Sequence, residues 1–389
     1  MSFRSLIYSA RYGSNYDLGH ATVFIPLESF HLFKDVGMFA AGLAKVDGSI
    51  ATLIHSGMTD VEVPKQLQGL AKTCRIEFSS GLRFQFRLLC FLKKGRASSV
   101  TLYHATRQNL FLALLLRMSG LKVYLKLDMT ASNAENFTII WRRRWRCKAL
   151  VLKYLFGVPN LVSCEDIGVY RQLKAFKWAS RRLQLIPNAM LRETIPNSIN
   201  FFGSKSNIIL VVGRLGTQQK NNELVLNALK LVPCEGLRDW QIHFCGSSTS
   251  AFYDKVRSLI LERPDLQKAI FFRGQLDRDN LLRMYSISKV LLITSRFEGF
   301  SIAALEASWF GCLLASTPVG GIAQLTDNWK LGYRLIDNDA FGLAKFLKLI
   351  AIDQLPKLDA ARFRMEYVHR NFAMEEMSTK ILTILRSGA

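Results

Sequence analysis

Short apolar runs alternate with segments of helical period along the chain. Such runs are typical of strands buried in a parallel sheet, and amphipathic segments are typical of helices that cover it. In the first half the apolar runs predict strands at residues 21–27, 49–54, 100–104, 122–127 and 161–164. Helical periodicity falls between them, for example at residues 36–45 and 109–119. We therefore predict a βαβ arrangement with helices on both faces of a parallel sheet.

The alternation stops at residues 187–203, where Pro187, Pro196 and several Asn and Ser residues break the periodicity, so we interpret this segment as a linker. The pattern then restarts, with strands predicted at residues 208–212, 240–244, 269–273, 290–294 and 312–316. Helices are predicted between them, such as 222–231 and 279–286. The predicted fold class is α/β, with two doubly wound, Rossmann-like domains that face a cleft. In such sheets, ligands bind at the carboxyl ends of the strands.

This linker sets the predicted domain bounds at residues 1–195 and 196–370. Residues 371–389 then form a C-terminal segment, with an amphipathic helix at 375–385. We interpret residues 1–19 as an extension ahead of the first strand, with a strand at residues 5–10 as the alternative.

The charge of the 389-residue chain is high and unevenly distributed. The formal net charge is +22, with a surplus of +16 in residues 1–200 and +6 in residues 201–389. The densest stretch, residues 141–148, has five cations and two tryptophans. Tryptophan and arginine together suit an anionic membrane surface, although a solvated helix face is the alternative. No nucleic-acid-binding motif is found, so we expect no nucleic acid partner.

The seven cysteines are scattered without a C-x-x-C pair, so we expect neither a disulfide framework nor a structural zinc site. The longest apolar run, residues 110–116, is far short of the ~20 residues that span a bilayer. The amino-terminal residues lack the apolar run of a signal peptide. We therefore expect a cytoplasmic protein that is peripheral on the inner face of the cytoplasmic membrane.

Two cations follow the predicted strand at residues 208–212. Arg214 comes directly after Gly213, and Lys220 follows before the next helix. Arginine offers a planar fork and lysine a compact charge, and both hold diphosphates. On pattern alone, such a loop is more often solvated surface.

The loop after the predicted strand at residues 290–294 carries a sharper signal. It contains Glu298 and Gly299, and the apolar helix that follows has Glu306 as a lone charge. Free N–H groups at a helix start favour an anion or a hydroxyl-rich ligand. A buried Glu306 needs partners, which ribose hydroxyls would supply, whereas a narrow exposed stripe is the alternative. The Gly-rich residues 316–321 follow the next strand and are expected at the same edge.

In their order and spacing, the stretches VGRL…KN, EGFSIAALEA and STPVGG resemble the retaining glycosyltransferases of family 4, which have the GT-B fold. Glu298 and Glu306 match the E-x₇-E element of that family. The resemblance is specific over residues 205–330 and looser in the first half. There, residues 30–38 resemble the first loop of bacterial surface-polysaccharide members but lack the usual Gly-Gly, and IPNAM at residues 186–190 replaces the commoner IPNG.

The resemblance implies a role for each matching residue. Arg214 and Lys220 would neutralise the donor diphosphate, Glu306 would bind the nucleotide ribose, and Glu298 would hold a hydroxyl of the donor sugar. Three backbone positions would lie beside that sugar: Gly299, Phe300 and Ser301. The first domain would bind the acceptor and the second the nucleotide sugar, and the C-terminal helix would cross back to the first domain.

Asp128 ends a first-domain strand where the family often has a polar residue near the reacting sugar, so the resemblance implies a catalytic position there. Its alternative is a helix cap or a loop aspartate. Two Asp-x-Asp strings, at residues 277–279 and 337–339, each precede a predicted helix and are interpreted as caps rather than metal ligands. We expect no metal, because Arg214 and Lys220 would neutralise the leaving diphosphate. We expect no cofactor, because the nucleotide-diphospho-sugar donor, UDP- or GDP-linked, is a substrate.

The predicted function is transfer of a hexose-type sugar, with retention, from that donor to a lipid-linked or surface-polysaccharide acceptor. One alternative is a sugar-nucleotide epimerase of the same fold. Another is a non-catalytic member that binds only a polysaccharide or the membrane. Nucleotide binding separates the last from an enzyme, because a scaffold does not need to bind a nucleoside diphosphate.

Overall fold

The computed structural model describes residues 17–24, 29–55, 61–76, 82–142, 147–176, 181–199, 203–234 and 236–387. The chain divides into two compact units, Met1–Thr194 with Phe372–Ala389 and Ile195–Asn371. Each unit contains one parallel sheet with its own buried apolar core. The predicted fold class of two Rossmann-like α/β domains is confirmed. The alternative strand at residues 5–10 lies outside the described residues.

The first unit contains a seven-stranded sheet in the order β3-β2-β1-β4-β5-β6-β7, with every pair parallel. Its strands are β1 His20–Val23, β2 Ala51–His55, β3 Ala71–Arg75, β4 Ser99–Tyr103, β5 Lys122–Leu127, β6 Leu161–Cys164 and β7 Leu183–Leu185. Five of them were predicted, whereas β3 and β7 were not. Most of β3 is only half-buried and β7 has three residues, so neither forms a recognisable apolar run.

Six α-helices connect the described strands of this unit. They are α1 Asp35–Asp47, α2 Leu82–Lys94, α3 Arg107–Met118, α4 Ala131–Arg142, α5 Cys147–Phe156 and α6 Ile167–Lys174. Short 3₁₀ helices occur at Ser29–Phe33, Lys65–Leu67 and Arg192–Thr194. Residues 143–146, the centre of the basic stretch expected to meet a membrane, lie outside the described residues.

The second unit contains a six-stranded parallel sheet in the order β10-β9-β8-β11-β12-β13. Its strands are β8 Ser206–Val212, β9 Gln241–Cys245, β10 Ile270–Gly274, β11 Ser288–Ile293, β12 Leu313–Ser316 and β13 Tyr333–Arg334. Its helices are α7 Glu223–Leu231, α8 Ser250–Glu262, α9 Arg278–Ile287, α10 Ile302–Trp309, α11 Ile322–Leu325, α12 Ala340–Ala351 and α13 Ala361–Asn371, with 3₁₀ helices at Pro264–Lys268 and Pro356–Asp359. Only β13, which has two residues, was not predicted.

The last helix, α14 Met374–Ser387, belongs to the first unit. It packs on α1 so closely that a Cβ added at Gly42 would lie 2.3 Å from Cγ of Met374. Backbone hydrogen bonds of 2.9 Å join Met190 to Phe372 and Met374 at the start of this helix. A side chain at residue 42 would therefore push α14 away from α1.

A buried lysine ties four segments of the first unit together. Lys126 on β5 is fully buried and forms ion pairs with Glu165 and with Asp35 at the start of α1, the latter at 3.1 Å. Its ammonium also donates to Oδ1 of Asn188 at 3.0 Å and lies 5.0 Å from the ring centroid of Phe39. A buried cation is costly unless it is paired and hydrogen-bonded. These partners therefore hold α1 and the segments that follow β6 and β7 against β5.

A second polar network lies where β1 and β4 begin. Nε2 of His20 is 2.6 Å from Oδ2 of Asp47, and Nδ1 of His20 is 2.7 Å from Oγ of Ser99. The backbone N–H of Ser49 donates to the same carboxylate at 3.1 Å. Partial burial alone raises the pKa of the Asp47 carboxyl, but the hydrogen bonds of Ser49 and His20 outweigh it and hold that pKa below 3.8. The ionised form of Asp47 is therefore favoured by folding.

This network makes part of the folding stability dependent on pH. Because the Asp47 pKa is lower in the folded state, its contribution is complete above the ordinary carboxyl pKa and disappears as the pH falls through the folded value. We expect Asp47→Asn to lower the free energy of unfolding at pH 7 by about 1 kcal/mol, the usual net worth of a hydrogen bond. Urea unfolding from pH 7 to pH 3 should show this deficit shrinking below pH 4. The exposed Asp239→Asn is the control, and a deficit that is equal at every pH would contradict the carboxylate role.

Candidate functional site

Two loops leave the second sheet side by side where its strand order reverses. Strands β8 and β11 are neighbours, with Leu210 paired to Leu291, so their carboxyl ends lie at the same edge. The loop after β8 leads to α7, and the loop after β11 leads to α10. A reversal of this kind parts the two connections and leaves a crevice between them, which is where doubly wound sheets bind ligands.

The structure brings Lys220 and Glu298 together across these two loops. Nζ of Lys220 lies 2.6 Å from Oε1 of Glu298, and both side chains are largely buried. The hydroxyl of Ser295 donates to the same carboxylate oxygen at 2.7 Å. Gly213, at a φ of +141°, allows this arrangement, because an added Cβ would lie 3.0 Å from Cε of Lys220. The aliphatic part of the Lys220 side chain therefore packs against the backbone of Gly213 at the end of β8.

Arg214 is exposed and is held by a glutamine that the sequence analysis missed. Nη2 of Arg214 donates to Oε1 of Gln219 at 2.7 Å. Nε2 of Gln219 donates in turn to the carbonyl oxygen of Phe297 at 3.2 Å. The backbone N–H of Arg296 donates to the carbonyl oxygen of Gln219 at 2.9 Å. Gln219 therefore links the Arg214 loop to the Glu298 loop, a contact that no local sequence pattern signals.

Glu306 on α10 is buried, with 4 % of its surface exposed, so the alternative of an exposed stripe is wrong. Its partner is Arg278, the first residue of α9, whose Nη1 lies 2.5 Å from Oε1 of Glu306. The sequence analysis missed Arg278, because 28 residues separate the pair. Burial, followed by the nearby Glu306 charge, raises the pKa of Tyr285 well above 10, so this phenol stays protonated.

Residues 193–364, which include both loops and Glu306, match the family model described as "Glycosyl transferases group 1". Over these residues the chain is similar to a group 1 glycosyltransferase domain. Glycogen synthase of Mycobacterium tuberculosis is 26 % identical to this chain over 112 residues, which is 29 % of this chain and 27 % of that protein. The chain spans less than half the length of the curated relatives that it matches.

Solved structures share the fold over almost the whole chain. A glycosyltransferase from Rickettsia africae ESF-5 has a TM-score of 0.70 and 18 % identity, covering 97 % of this chain and 99 % of that one. Alr3699/HepE from Anabaena, solved in complex with UDP-glucose, has a TM-score of 0.68 and 14 % identity, covering 95 % and 99 %. At these identities the likeness shows the fold alone, which is that of GT-B glycosyltransferases.

The Gly-rich loop after β12 contacts the Glu298 loop, at the edge where the sequence predicted it. A Cβ at Gly321 would lie 2.2 Å from the ring of Phe300, and a Cβ at Gly320 would lie 2.1 Å from the carbonyl oxygen of Gly299. Ser301 caps α10, because its hydroxyl accepts from the N–H of Ala304 at 3.3 Å. The backbone at residues 299–301 therefore lies between Gly320 and Gly321 on one side and the start of α10 on the other.

Asp128 lies in the first unit, exposed, directly after β5. Oγ1 of Thr130 accepts from the backbone N–H of Asn133, so Thr130 and not Asp128 caps the following helix. Asp277 and Asp339 cap α9 and α12, as predicted. Among the residues that the structure describes, no three His, Cys, Asp or Glu side chains are grouped as metal ligands. No helix in the described ranges is long and apolar enough to cross a bilayer.

The Arg278–Glu306 pair makes a specific prediction about stability. Removing one partner of a buried ion pair leaves an uncompensated charge, which typically costs 3–5 kcal/mol. We therefore expect Arg278→Ala to lower the free energy of unfolding by about 3 kcal/mol and the double variant with Glu306→Gln to recover part of that loss. Chemical unfolding measures both. Arg283→Ala, an exposed position on the same helix, is the control, and additive losses in the double variant would refute the pairing.

Proposed function

We propose that this protein is a glycosyltransferase that moves a hexose-type sugar, with retention, from a nucleotide-diphospho-sugar to a lipid-linked or surface-polysaccharide acceptor. One observation carries the proposal: Arg214, Lys220 and Glu298 stand in the two adjacent loops at the switch point of a group 1 domain. Retention comes from the resemblance to family 4. The likeness to a protein solved with UDP-glucose favours a UDP-linked donor, with GDP as the second choice.

Negative charge must be stabilised on the departing diphosphate as the glycosidic bond breaks. Arg214 and Lys220 provide two cations at the carboxyl end of β8. The guanidinium can bind two oxygens at once, and the ammonium has three protons. Lys220 can therefore keep its bond to Glu298 and still donate to a phosphate oxygen. These two cations would replace part of the charge stabilisation that a metal ion gives to other glycosyltransferases.

The two glutamates would bind the donor at different points. Arg278 contacts Oε1 of Glu306, so Oε2 is the atom that would accept from a ribose hydroxyl. Glu298 would accept from a sugar hydroxyl, and its 2.6 Å contact with Lys220 would place that hydroxyl beside the diphosphate. In this proposal Asp128 is the first-domain carboxylate near the reacting sugar.

An exposed apolar face on α5 supports a membrane surface as the site of the acceptor. Leu150, Val151 and Tyr154 are 55 %, 56 % and 70 % exposed, and their spacing puts them on one side of the helix. The surrounding sequence, residues 107–182, has 15 Lys and Arg against four Asp and Glu. Apolar side chains flanked by cations bind anionic bilayers from the surface. The proposed location is therefore the inner face of the cytoplasmic membrane, where a lipid-linked acceptor would be found.

The alternatives predict different chemistry at the same site. A sugar-nucleotide epimerase would act on the nucleotide sugar alone, which gives no reason for a basic first domain. A non-catalytic member would not need the charged side chains of the Lys220–Glu298 and Arg278–Glu306 pairs. Incubation with UDP-glucose separates these cases, since a transferase releases UDP only with an acceptor or water, whereas an epimerase changes the sugar.

Nucleotide binding is the direct test of the donor site. We expect one diphosphate among UDP, GDP, ADP and dTDP to raise the melting temperature, because a ligand of the folded state stabilises it, and CMP to have no effect. Glu306→Ala should then weaken that nucleotide about tenfold in calorimetry, by loss of its hydrogen bonds to ribose. Glu262→Ala, an exposed glutamate of the same domain, should bind normally. No response to any diphosphate would refute the proposed function, and unchanged affinity in Glu306→Ala would refute the ribose role.

The membrane surface is tested separately with vesicles. We expect the protein to sediment with vesicles that contain phosphatidylglycerol and not with phosphatidylcholine alone, and high salt to weaken this binding. Leu150→Ser with Tyr154→Ser should reduce the bound fraction about tenfold, because the apolar contribution is lost. The double variant Phe341→Ser with Phe363→Ser removes two exposed aromatic side chains from the other unit and is the matched control. Equal losses in the two variants would contradict a membrane face on α5.

A further inference from the structure

We infer that Gln219 is a positioning residue of the donor site, which aims the Arg214 guanidinium at the diphosphate and fixes its loop to the Glu298 loop. The inference rests on the proposed function. It assigns to Gln219 the discrimination between a nucleoside diphosphate and a monophosphate, a property that depends on Arg214.

Gln219 stands at the centre of a row of contacts between the two loops. Its amide contacts Arg214 on its own loop and the Phe297 carbonyl on the other, and its backbone carbonyl accepts from Arg296. At the following two residues, the backbone carbonyl of Lys220 accepts from the hydroxyl of Thr294 at 3.0 Å, and Oδ1 of Asn221 accepts from the Arg296 guanidinium at 3.4 Å. Residues 219–221 are thus bonded to residues 294–297 at successive positions.

The amide side chain of Gln219 satisfies both of its contacts. A guanidinium has donors only, and a backbone carbonyl accepts only, so the side chain between them must accept on one atom and donate on the other. This requirement fixes the orientation of the amide. Glutamate accepts from Arg214 but cannot donate to the Phe297 carbonyl, and its negative charge would neutralise Arg214.

Without this amide, Arg214 is a long exposed side chain with several accessible rotamers. Holding this side chain in one direction costs side-chain entropy. The hydrogen bond from Arg214 to Gln219 already restricts its rotamers before a ligand binds, so less entropy is lost on binding. A diphosphate that meets a pre-oriented guanidinium binds more tightly than one that must order it. A monophosphate that does not reach Arg214 gains nothing from this arrangement. Gln219 should therefore affect diphosphate affinity selectively.

The adjacent Gln218 provides a matched control, because it has the same side chain, is exposed and is one residue away. Calorimetry with UDP and UMP compares the unchanged protein with Gln219→Ala, Gln219→Glu, Gln218→Ala, Arg214→Ala and the double variant Arg214→Ala with Gln219→Ala. If the melting-temperature measurements identify another diphosphate as the ligand, that diphosphate and its monophosphate replace UDP and UMP. Melting temperatures without ligand report on folding.

We expect Gln219→Ala to weaken UDP about fivefold, the equivalent of about one hydrogen bond, and to change UMP affinity less than twofold. Gln219→Glu should weaken UDP further, and Gln218→Ala should change neither ligand. The double variant should bind UDP no more weakly than Arg214→Ala, because Gln219 acts through that residue.

Three results would overturn the inference while leaving the proposed function intact. They are normal UDP affinity in Gln219→Ala, an equal loss for UDP and UMP, and additive losses in the double variant. Equal losses would indicate a general structural role of the loop. Failure of the unchanged protein to bind any of UDP, GDP, ADP and dTDP would overturn the proposed function, and this inference with it.

Discussion

The reversal of strand order between β8 and β11 is the constraint on which the candidate site depends. In a parallel sheet, connections on either side of such a reversal run to opposite faces, so the two loops diverge as they leave the edge. Without contacts between them, two such loops would each be anchored only where they join the sheet and the next helix. Here they are joined by the Lys220–Glu298 ion pair, the Gln219 amide and the hydroxyl of Thr294. The polar residues that would bind a donor are therefore also the ones that hold the loops together.

Two buried charges, Lys126 in the first unit and Glu306 in the second, follow the same rule, since each is paired with an opposite charge from a distant part of the chain. Lys126 is paired with residues of α1 and of the loop after β6, and Glu306 is paired with the first residue of α9. Such pairs add little net stability compared with apolar packing, because desolvation offsets most of the attraction. Their effect is on position. A buried ionised group needs an opposite charge within contact distance, and this requirement fixes where the segment with that partner lies.

The sequence predicted most of this fold, because buried parallel strands are continuous apolar runs. Lys122–Leu127 and Leu161–Cys164 were predicted to the residue, whereas β3 is too polar and β13 too short to be recognised. The two loops were located from the residue types that follow each strand. Gln219 and Arg278 were missed for a different reason. Their partners on other segments, Phe297 and Glu306, are close in space but lie 78 and 28 residues away in sequence, and no periodicity encodes such a pairing.

The two ion pairs of the candidate site have a consequence for how a donor could bind. Lys220 is bonded to Glu298, and Glu306 to Arg278, yet an ammonium has three protons and a carboxylate two acceptor oxygens. Each pair therefore keeps donor or acceptor capacity after its internal bond is made. A ligand that uses this capacity need not break the pair, so the side chains do not have to reorganise when charge develops. Preorganisation of this kind is what makes electrostatic stabilisation effective in a site that excludes water.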